Sequence, residues 1–161
     1  MQPQDMPHHL TTTWRTFMGE ERVFTVQQSA VMEVSEGQRF FLITLHHASG
    51  VIPAGVGLSI AEQDACRLAA RLFGEAQENL AEADITDACG ELSNVFASGV
   101  TSHVGAYADL ELGLPVSLSA EQFHQTLLGS AIRQCYLASH MQVIVFDPLV
   151  QPQAAWPARS E

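Results

Sequence analysis

Two carboxylates and a carboxamide recur at helical spacing in the middle of this 161-residue chain, within the segment DACGELSN at residues 87–94. At about 100° per residue, five polar side chains fall within a narrow arc of one helix: Asp87, Glu91, Asn94, Ser98 and Thr101. Acids and an amide that project together suggest chemistry at a shared surface. The alternative is that the arc is only the solvated face of an amphipathic helix.

The opposite side of the same helix is apolar. Its side chains recur at intervals of three and four, as in a helix packed on a core: Ile85, Cys89, Leu92 and Phe96. Asp84 is the predicted N-cap. Gly90 and Ala97 lie beside the polar arc, and a helical glycine costs about 1 kcal/mol relative to alanine unless another backbone must come close. The polar arc is therefore interpreted as a docking surface.

The charge of the chain excludes several classes of partner. Its formal net charge is −11, it has no lysine, and its arginines are scattered from Arg15 to Arg159. We therefore expect no nucleic-acid partner and no membrane partner. No lysine or arginine lies between Arg71 and Arg133, so a phosphoryl substrate at the polar arc must bring its own cations.

The remaining reactive residue types do not form a recognisable site. The three cysteines contain no Cys-x-x-Cys pair, and the seven histidines lack the spacing of metal ligands. We therefore expect no metal site, and Cys66 and Cys89 are predicted to pack as small apolar residues. Residues 1–10 lack a basic, apolar leader, and no run approaches the roughly 18 apolar residues of a membrane span. The sequence predicts a cytoplasmic location.

The elements before the polar helix are predicted from alternation and turn residues. A short helix is expected within Thr11–Met18. Phe24–Val34 and Arg39–His47 are predicted to pair as a β-hairpin. A third strand, Val51–Leu58, is placed at a sheet edge because it contains Pro53.

A second helix precedes the polar helix, and strands follow it. Ser59 and Glu62 are predicted to form a capping box that opens the second helix, which ends at Gly74. Two later strands are predicted at Ile132–Ala138 and Met141–Phe146. The fold class is therefore α+β, with an antiparallel sheet and two consecutive long helices packed on one face.

The predicted organisation has three parts. Residues 1–20 form an N-terminal segment with the short helix, residues 21–148 form one folded domain, and residues 149–161 form a C-terminal tail with Pro152 and Pro157. The composition, with 47% hydrophobic and 16% charged residues, is that of a folded globular protein.

With Asp87, Glu91, Asn94 and Pro115 identified, the chain resembles the CheC/CheX-type phosphatases of bacterial chemotaxis. The family signature is an acid or serine, then Glu-x-x-Asn, then a distant proline. The resemblance covers most of the chain and includes its fold. Only one Glu-x-x-Asn occurs, so the chain is similar to the single-site, CheX-like form, whose members are typically homodimers.

The resemblance implies a reaction and its catalytic residues. Family members remove phosphate from the aspartyl-phosphate of a CheY-type response regulator. By analogy, Asn94 would hold a water in line with the phosphorus, and Glu91 would pair with the regulator's lysine. The resemblance implies no cofactor in this chain, and Mg²⁺ is expected on the partner receiver.

Supporting or partner-docking roles are expected for Asp87, which matches the first position of the family motif, and for Gly90 and Ser98, which lie on or beside the polar arc. Ser98 stands where the family often has a glycine, and Gly99 follows one place later. Stabilisation of the helix dipole explains Asp87 about as well as a contact with a partner.

A second hypothesis comes from a different functional class. The chain could keep the CheC/CheX fold as a binding module that docks on a receiver or a flagellar switch protein without catalysis. Glu91 and Asn94, both present, favour the phosphatase.

Overall fold

The computed structural model describes residues 5–28 and 37–149. Its elements, in chain order, are α1 (Asp5–Met18), β1 (Thr25–Gln27), β2 (Gln38–His46), β3 (Ala54–Ala61), α2 (Glu62–Phe73), α3 (Glu82–His103), β4 (Glu111–Leu112), β5 (Val116–Leu118), α4 (Ala120–Leu128), β6 (Ser130–Ala138) and β7 (Met141–Pro148). Short 3₁₀ turns lie at Gln77–Asn79 and Gly105–Tyr107.

The seven strands form one antiparallel sheet in the order β1-β6-β7-β3-β2-β4, and β5 also pairs with β2. α1, α2 and α3 pack on one face and share the main core. The α+β prediction, with two consecutive helices on one face of an antiparallel sheet, is confirmed.

The main core fixes the orientation of α3. Leu92, Phe96 and Val100 are buried against side chains of the sheet and of α1, including Phe41 and Trp14. A fully buried side chain of this size contributes about 1.5–3 kcal/mol relative to its exposed state. Several such side chains on one side of α3 hold its opposite side towards solvent.

The other face of the sheet is covered by α4, a helix that the sequence analysis missed. Phe123 and Leu127 pack there against Phe146 and other side chains of the sheet. Ser119 and Gln122 form a complete capping box: the Gln122 N–H donates to Ser119 Oγ at 3.1 Å, and the Ser119 N–H donates to Gln122 Oε1 at 2.8 Å. The Ser-x-x-Gln pattern was a usable sequence signal for this helix.

The predicted hairpin is wrong in the part that the structure describes. β1 pairs with β6, with Val26 opposite Tyr136, whereas β2 pairs with β3, β4 and β5. β1 and β2 therefore lie far apart in the strand order. Residues 29–34 of the predicted first strand lie outside the described residues, as does the tail from residue 150 onwards.

The predicted edge position of the third strand is also wrong. β3 lies between β2 and β7, and Pro53 precedes its first residue, Ala54. Because Pro53 stands outside the strand, its missing N–H removes no hydrogen bond from the sheet. The two predicted C-terminal strands are confirmed as β6 and β7.

The helix starts differ from the sequence predictions, and the end of α2 agrees. Ser59 lies within β3 and donates to Gln38 Oε1 at 3.1 Å, so it does not cap α2, which begins after Ala61. α3 begins after Ala81, and Asp84 lies inside its first turn, where it accepts from the Ala81 N–H. α2 ends at Gly74, whose φ of 65° is left-handed, as predicted.

The first helix is longer than predicted. It includes the predicted range Thr11–Met18 but begins at Asp5, so that Met6 and Leu10 also reach the main core. Thr11 is buried with its hydroxyl as the acceptor for the Phe24 N–H at 3.0 Å. This hydrogen bond explains why a β-branched polar residue is tolerated inside α1.

Candidate functional site

The outer side of α3 brings the predicted site residues together. Asp87, Glu91 and Ser98 are exposed, and Asn94 and Thr101 are half-buried. Glu91 and Asn94 are three residues apart on one helix, which makes their side chains neighbours. We refer to the surface formed by these five residues as the polar stripe.

Glu91 and Asn94 are the two side chains of the polar stripe whose functional groups could contact a partner directly. In the described part of the chain, no hydrogen bond or ion pair engages the carboxylate of Glu91 or the carboxamide of Asn94. A carboxylate can accept from a cation, and a carboxamide can both donate to and accept from water. Among the described residues, no hydrogen bond or ion pair would have to break before Glu91 accepts from a cation or Asn94 binds a water.

Ser98 continues the stripe one turn after Asn94. Its main-chain carbonyl accepts from the hydroxyls of Thr101 at 2.8 Å and Ser102 at 3.0 Å. These bonds use the carbonyl of Ser98, and its own side chain remains exposed. The hydroxyls of Thr101 and Ser102 are therefore hydrogen-bonded within α3.

Gly90 lies where the side chain of Pro115 contacts α3. A Cβ atom at Gly90 would lie 3.4 Å from Cβ of Pro115, and Gly90 is buried. Pro115 directly precedes β5, which pairs with β2 through Val116 opposite Leu42. The contact at Gly90 is therefore an ordinary one with the side chain of Pro115, and the close approach of another backbone expected there is not observed.

A groove of about 530 Å³ adjoins the polar stripe. Asn94 and Ser98 form part of its wall, together with His9 from α1, His103 from the end of α3, and Leu112 from β4. Polar, imidazole and apolar side chains from three elements therefore lie together beside the Asn94 amide.

His9 is a neighbour of the site that sequence reasoning missed. A Cβ atom at Gly99 would lie 2.0 Å from Nε2 of His9, and that nitrogen lies 3.5 Å from the Val95 carbonyl oxygen. The His9 and His103 ring centroids are 5.1 Å apart. Burial lowers the pKa of His9, and its contact with the Val95 carbonyl opposes that shift. Gly99, inside a helix, was the signal that something large comes close.

The described arginines are engaged away from the polar stripe. Arg71 donates to the Phe17 carbonyl. The other five form ion pairs with carboxylates: Arg15–Glu21, Arg22–Asp64, Arg39–Glu62, Arg67–Glu20 and Arg133–Asp147. The polar stripe therefore has an acidic character that these arginines do not neutralise.

The cysteines fit structural roles. Cys89 is fully buried in the main core, and burial raises the pKa of its thiol to about 12. Cys66 is partly buried against the same core, and burial raises its pKa as well. The prediction that both pack as small apolar residues is confirmed. Neither thiol is activated as a nucleophile.

Within residues 5–28 and 37–149, no group of three or more His, Cys, Asp or Glu side chains is placed to bind a metal ion. Over the same ranges, no helix combines the length and the apolar character that crossing a membrane requires.

Comparison with known families gives one match. The family model described as chemotaxis phosphatase CheX matches residues 43–137. This range is more than half of the chain and contains the polar stripe and Pro115. No curated protein sequence matches the chain.

Several solved structures share the fold. A chemotaxis protein CheX from Vibrio vulnificus has 15% identity and a TM-score of 0.59, with 91% of this chain and 94% of that chain covered. A CheX–CheY–BeF₃–Mg²⁺ complex from Borrelia burgdorferi gives 12% identity and a TM-score of 0.65, with 90% and 95% covered. A chemotaxis protein CheX from Desulfovibrio desulfuricans gives 11% identity and a TM-score of 0.57, with 92% and 97% covered.

Proposed function

Because this chain belongs to the CheX family of chemotaxis phosphatases, we propose that it hydrolyses the aspartyl-phosphate of a CheY-type response regulator. Family membership supports the broader statement, a role as a chemotaxis phosphatase or as a CheY-binding protein. The finer proposal concerns the reaction and the residues that perform it.

The observation that carries the proposal is the pair Glu91 and Asn94 on the outer side of α3. Both side chains are accessible, neither is engaged within the described chain, and the buried side of α3 fixes their direction. Catalysis by positioning needs groups that are held before the substrate arrives. A helix anchored over its whole length in the main core meets that requirement.

In the proposed reaction, the Asn94 carboxamide holds a water in line with the phosphorus and the departing carboxylate oxygen. The water oxygen forms a bond to phosphorus while the phosphorus–carboxylate bond breaks. The bonding electron pair leaves with the regulator's aspartate. One proton of the water stays on the attacking oxygen and the other passes to another phosphate oxygen, so that the product is dihydrogen phosphate. Such a transfer depends mainly on positioning and on neutralisation of charge.

Glu91 is proposed to pair with a lysine of the regulator beside the phosphorylation site. The polar stripe repels a free phosphate dianion but attracts a partner that carries lysine and Mg²⁺. The magnesium ion belongs to the receiver in this proposal, and this chain contributes no cofactor of its own. The phosphorylated receiver is accordingly a better substrate than a small phosphate ester.

The other site residues have supporting roles in this proposal. Asp87 and Ser98 extend the contact with the receiver on either side of Glu91 and Asn94. Gly90 supports the pair indirectly, because it contacts Pro115, whose Cβ lies 3.4 Å from the position of a Cβ atom at Gly90.

The test is the decay rate of the aspartyl-phosphate on magnesium-bound CheY-type receivers from the same genome, with and without this protein. We expect acceleration by the intact protein. Asn94→Ala and Glu91→Ala should each reduce it on the order of 100-fold, the scale of a misplaced reacting group. Asn94→Asp keeps the size of the side chain but loses the amide donors, so it should also be impaired.

Matched controls come from α4, on the opposite face of the sheet. Gln125→Ala removes an exposed carboxamide and Glu121→Ala an exposed carboxylate there, and both should retain the full rate. If the intact protein binds receivers but accelerates decay on none of them, the chain is a binding module and the phosphatase proposal is wrong.

A further inference from the structure

We propose that Leu114 is an apolar docking contact for the CheY-type receiver, beside the catalytic pair on α3. The inference rests on the proposed function and adds a residue that determines how tightly the receiver binds. The partner that covers Leu114 is the receiver itself. It does so with a part of its surface where a cation lies next to apolar side chains.

Leu114 is the most exposed large hydrophobic side chain among the described residues, with 81% of its surface accessible. It lies directly before Pro115, which packs on Gly90 at the position next to Glu91. A single exposed leucine is ordinary on a protein surface. This leucine is distinguished by its place directly before Pro115, whose side chain contacts α3 at Gly90, and by the way its backbone is held.

The backbone on both sides of Leu114 is fixed. The Gly113 N–H donates to the Thr44 carbonyl at 2.7 Å, and a Cβ atom at Gly113 would lie 2.5 Å from Thr44 Oγ1. On the other side, Pro115 contacts α3 and leads into β5. Since the segment is already ordered, little backbone entropy remains to be lost when a partner covers Leu114.

The surroundings of Leu114 indicate the chemistry of the partner. Leu112, with 39% of its surface accessible, lies two residues before Leu114 and forms part of the groove wall with Asn94. Asp109 and Glu111 are exposed nearby in the chain. Apolar contacts bordered by acids fit a partner surface with apolar side chains and a neighbouring cation. The receiver's lysine, which Glu91 is proposed to bind, supplies that cation.

The test measures binding separately from catalysis. The probe is a CheY-type receiver loaded with Mg²⁺ and beryllium fluoride, a stable mimic of the aspartyl-phosphate, titrated into the full-length protein. Leu114→Ser should weaken the Kd about tenfold, the effect expected from uncovering one buried leucine contact. Leu128→Ser is the matched control, because Leu128 is 63% exposed on α4, and its Kd should stay within about twofold.

A kinetic readout separates docking from catalysis. Leu114→Ser should raise the receiver concentration needed for half-maximal rate and leave the rate at saturation unchanged, whereas Asn94→Ala should lower the rate at saturation. Equal Kd values for Leu114→Ser and the intact protein would overturn the docking proposal while the phosphatase stands. If the intact protein does not accelerate decay but Leu114→Ser still weakens receiver binding, the phosphatase proposal alone is wrong. If Leu114→Ser disrupts self-association and leaves receiver binding unchanged, the contact belongs to a second copy of this chain and the proposal is wrong.

Discussion

Asn94 and Glu91 differ in what they can do, although they are neighbours. The carboxamide of Asn94 is uncharged at every ordinary pH and can orient a water by donating and accepting. The carboxylate of Glu91 is better suited to hold a cation. The proposed division, in which Asn94 positions water and Glu91 binds a lysine, follows these chemical differences.

A first prediction concerns Gly99, which makes room for His9. Gly99→Ala would place a Cβ atom 2.0 Å from Nε2 of His9, so the imidazole must move and loosen the packing of α1 on α3. We expect a loss of about 1–3 kcal/mol in the free energy of unfolding, as for other overpacked sites. Urea unfolding of the purified variant measures it.

The control for Gly99 is a double-mutant cycle with His9→Ala. With the imidazole removed, Gly99→Ala should be neutral or should stabilise by up to about 1 kcal/mol, since alanine is the better helix former. Gly90→Ala offers a second comparison, because its new Cβ would meet Pro115 at 3.4 Å, an ordinary contact. An equal loss with and without His9 would contradict the steric explanation.

At the scale of elements, α3 is tied to β2 and α2 by Arg39. Its Nε donates to Glu62 Oε2 at 2.5 Å, and its Nη2 donates to Glu82 Oε2 at 2.9 Å. Glu62 and Glu82 are the first residues of α2 and α3. One arginine from the sheet thus joins the starts of the two long helices, near the positive ends of their dipoles.

A second prediction is the pH dependence of this cluster. Hydrogen bonds from Arg39 lower the pKa of both carboxyl groups, Glu62 and Glu82, below the ordinary value of 4.5. Because the folded pKa is the lower one, the cluster stabilises the fold above pH 4.5, and this stabilisation is lost as the pH falls through the folded pKa. Arg39→Met should therefore show a smaller fall in the free energy of unfolding between about pH 5 and pH 3.

The control for Arg39→Met is the variant Arg15→Met. Arg15 pairs with Glu21 at 3.0 Å, and both side chains are more than half exposed. Exposed pairs of this kind contribute about 0–1 kcal/mol, so this variant should keep the pH profile of the intact protein. Chemical denaturation at several pH values tests both variants. Parallel profiles for Arg39→Met and the intact protein would contradict the proposed linkage.

At the scale of the whole molecule, the net charge of −11 bears on assembly. Two such chains repel each other, and added salt screens the repulsion. The chain has a single Glu-x-x-Asn motif, so a homodimer would present two copies of the Glu91–Asn94 pair.

The third prediction is a homodimer, which the resemblance to single-site CheX-like proteins implies. Sedimentation equilibrium should give a particle of twice the 17.5 kDa chain mass, with tighter association at higher ionic strength. A 17.5 kDa particle at working concentration across the salt series would contradict the dimer. The phosphatase proposal does not depend on this outcome.

The sequence by itself determined α3 and its two sides. Periodicity of 3.6 residues records which side of a helix is apolar, so the burial of Leu92 and Phe96 and the exposure of Glu91 could be predicted. Gly74 marked the end of α2 for the local reason that glycine adopts a positive φ at low cost. The Glu-x-x-Asn pattern and the absence of cations between Arg71 and Arg133 supplied the functional hypothesis.

Tertiary structure decided what contacts these local elements. Ser59-x-x-Glu62 and Ser119-x-x-Gln122 carry the same capping signal, but only Ser119 caps a helix, because pairing with β2 and β7 holds Ser59 in a strand. The packing of His9 on Gly99 likewise joins residues 86 to 90 positions apart in the chain. Local patterns specify the apolar side of an element but not its partner, since the partner is set by strand order and by packing between distant segments.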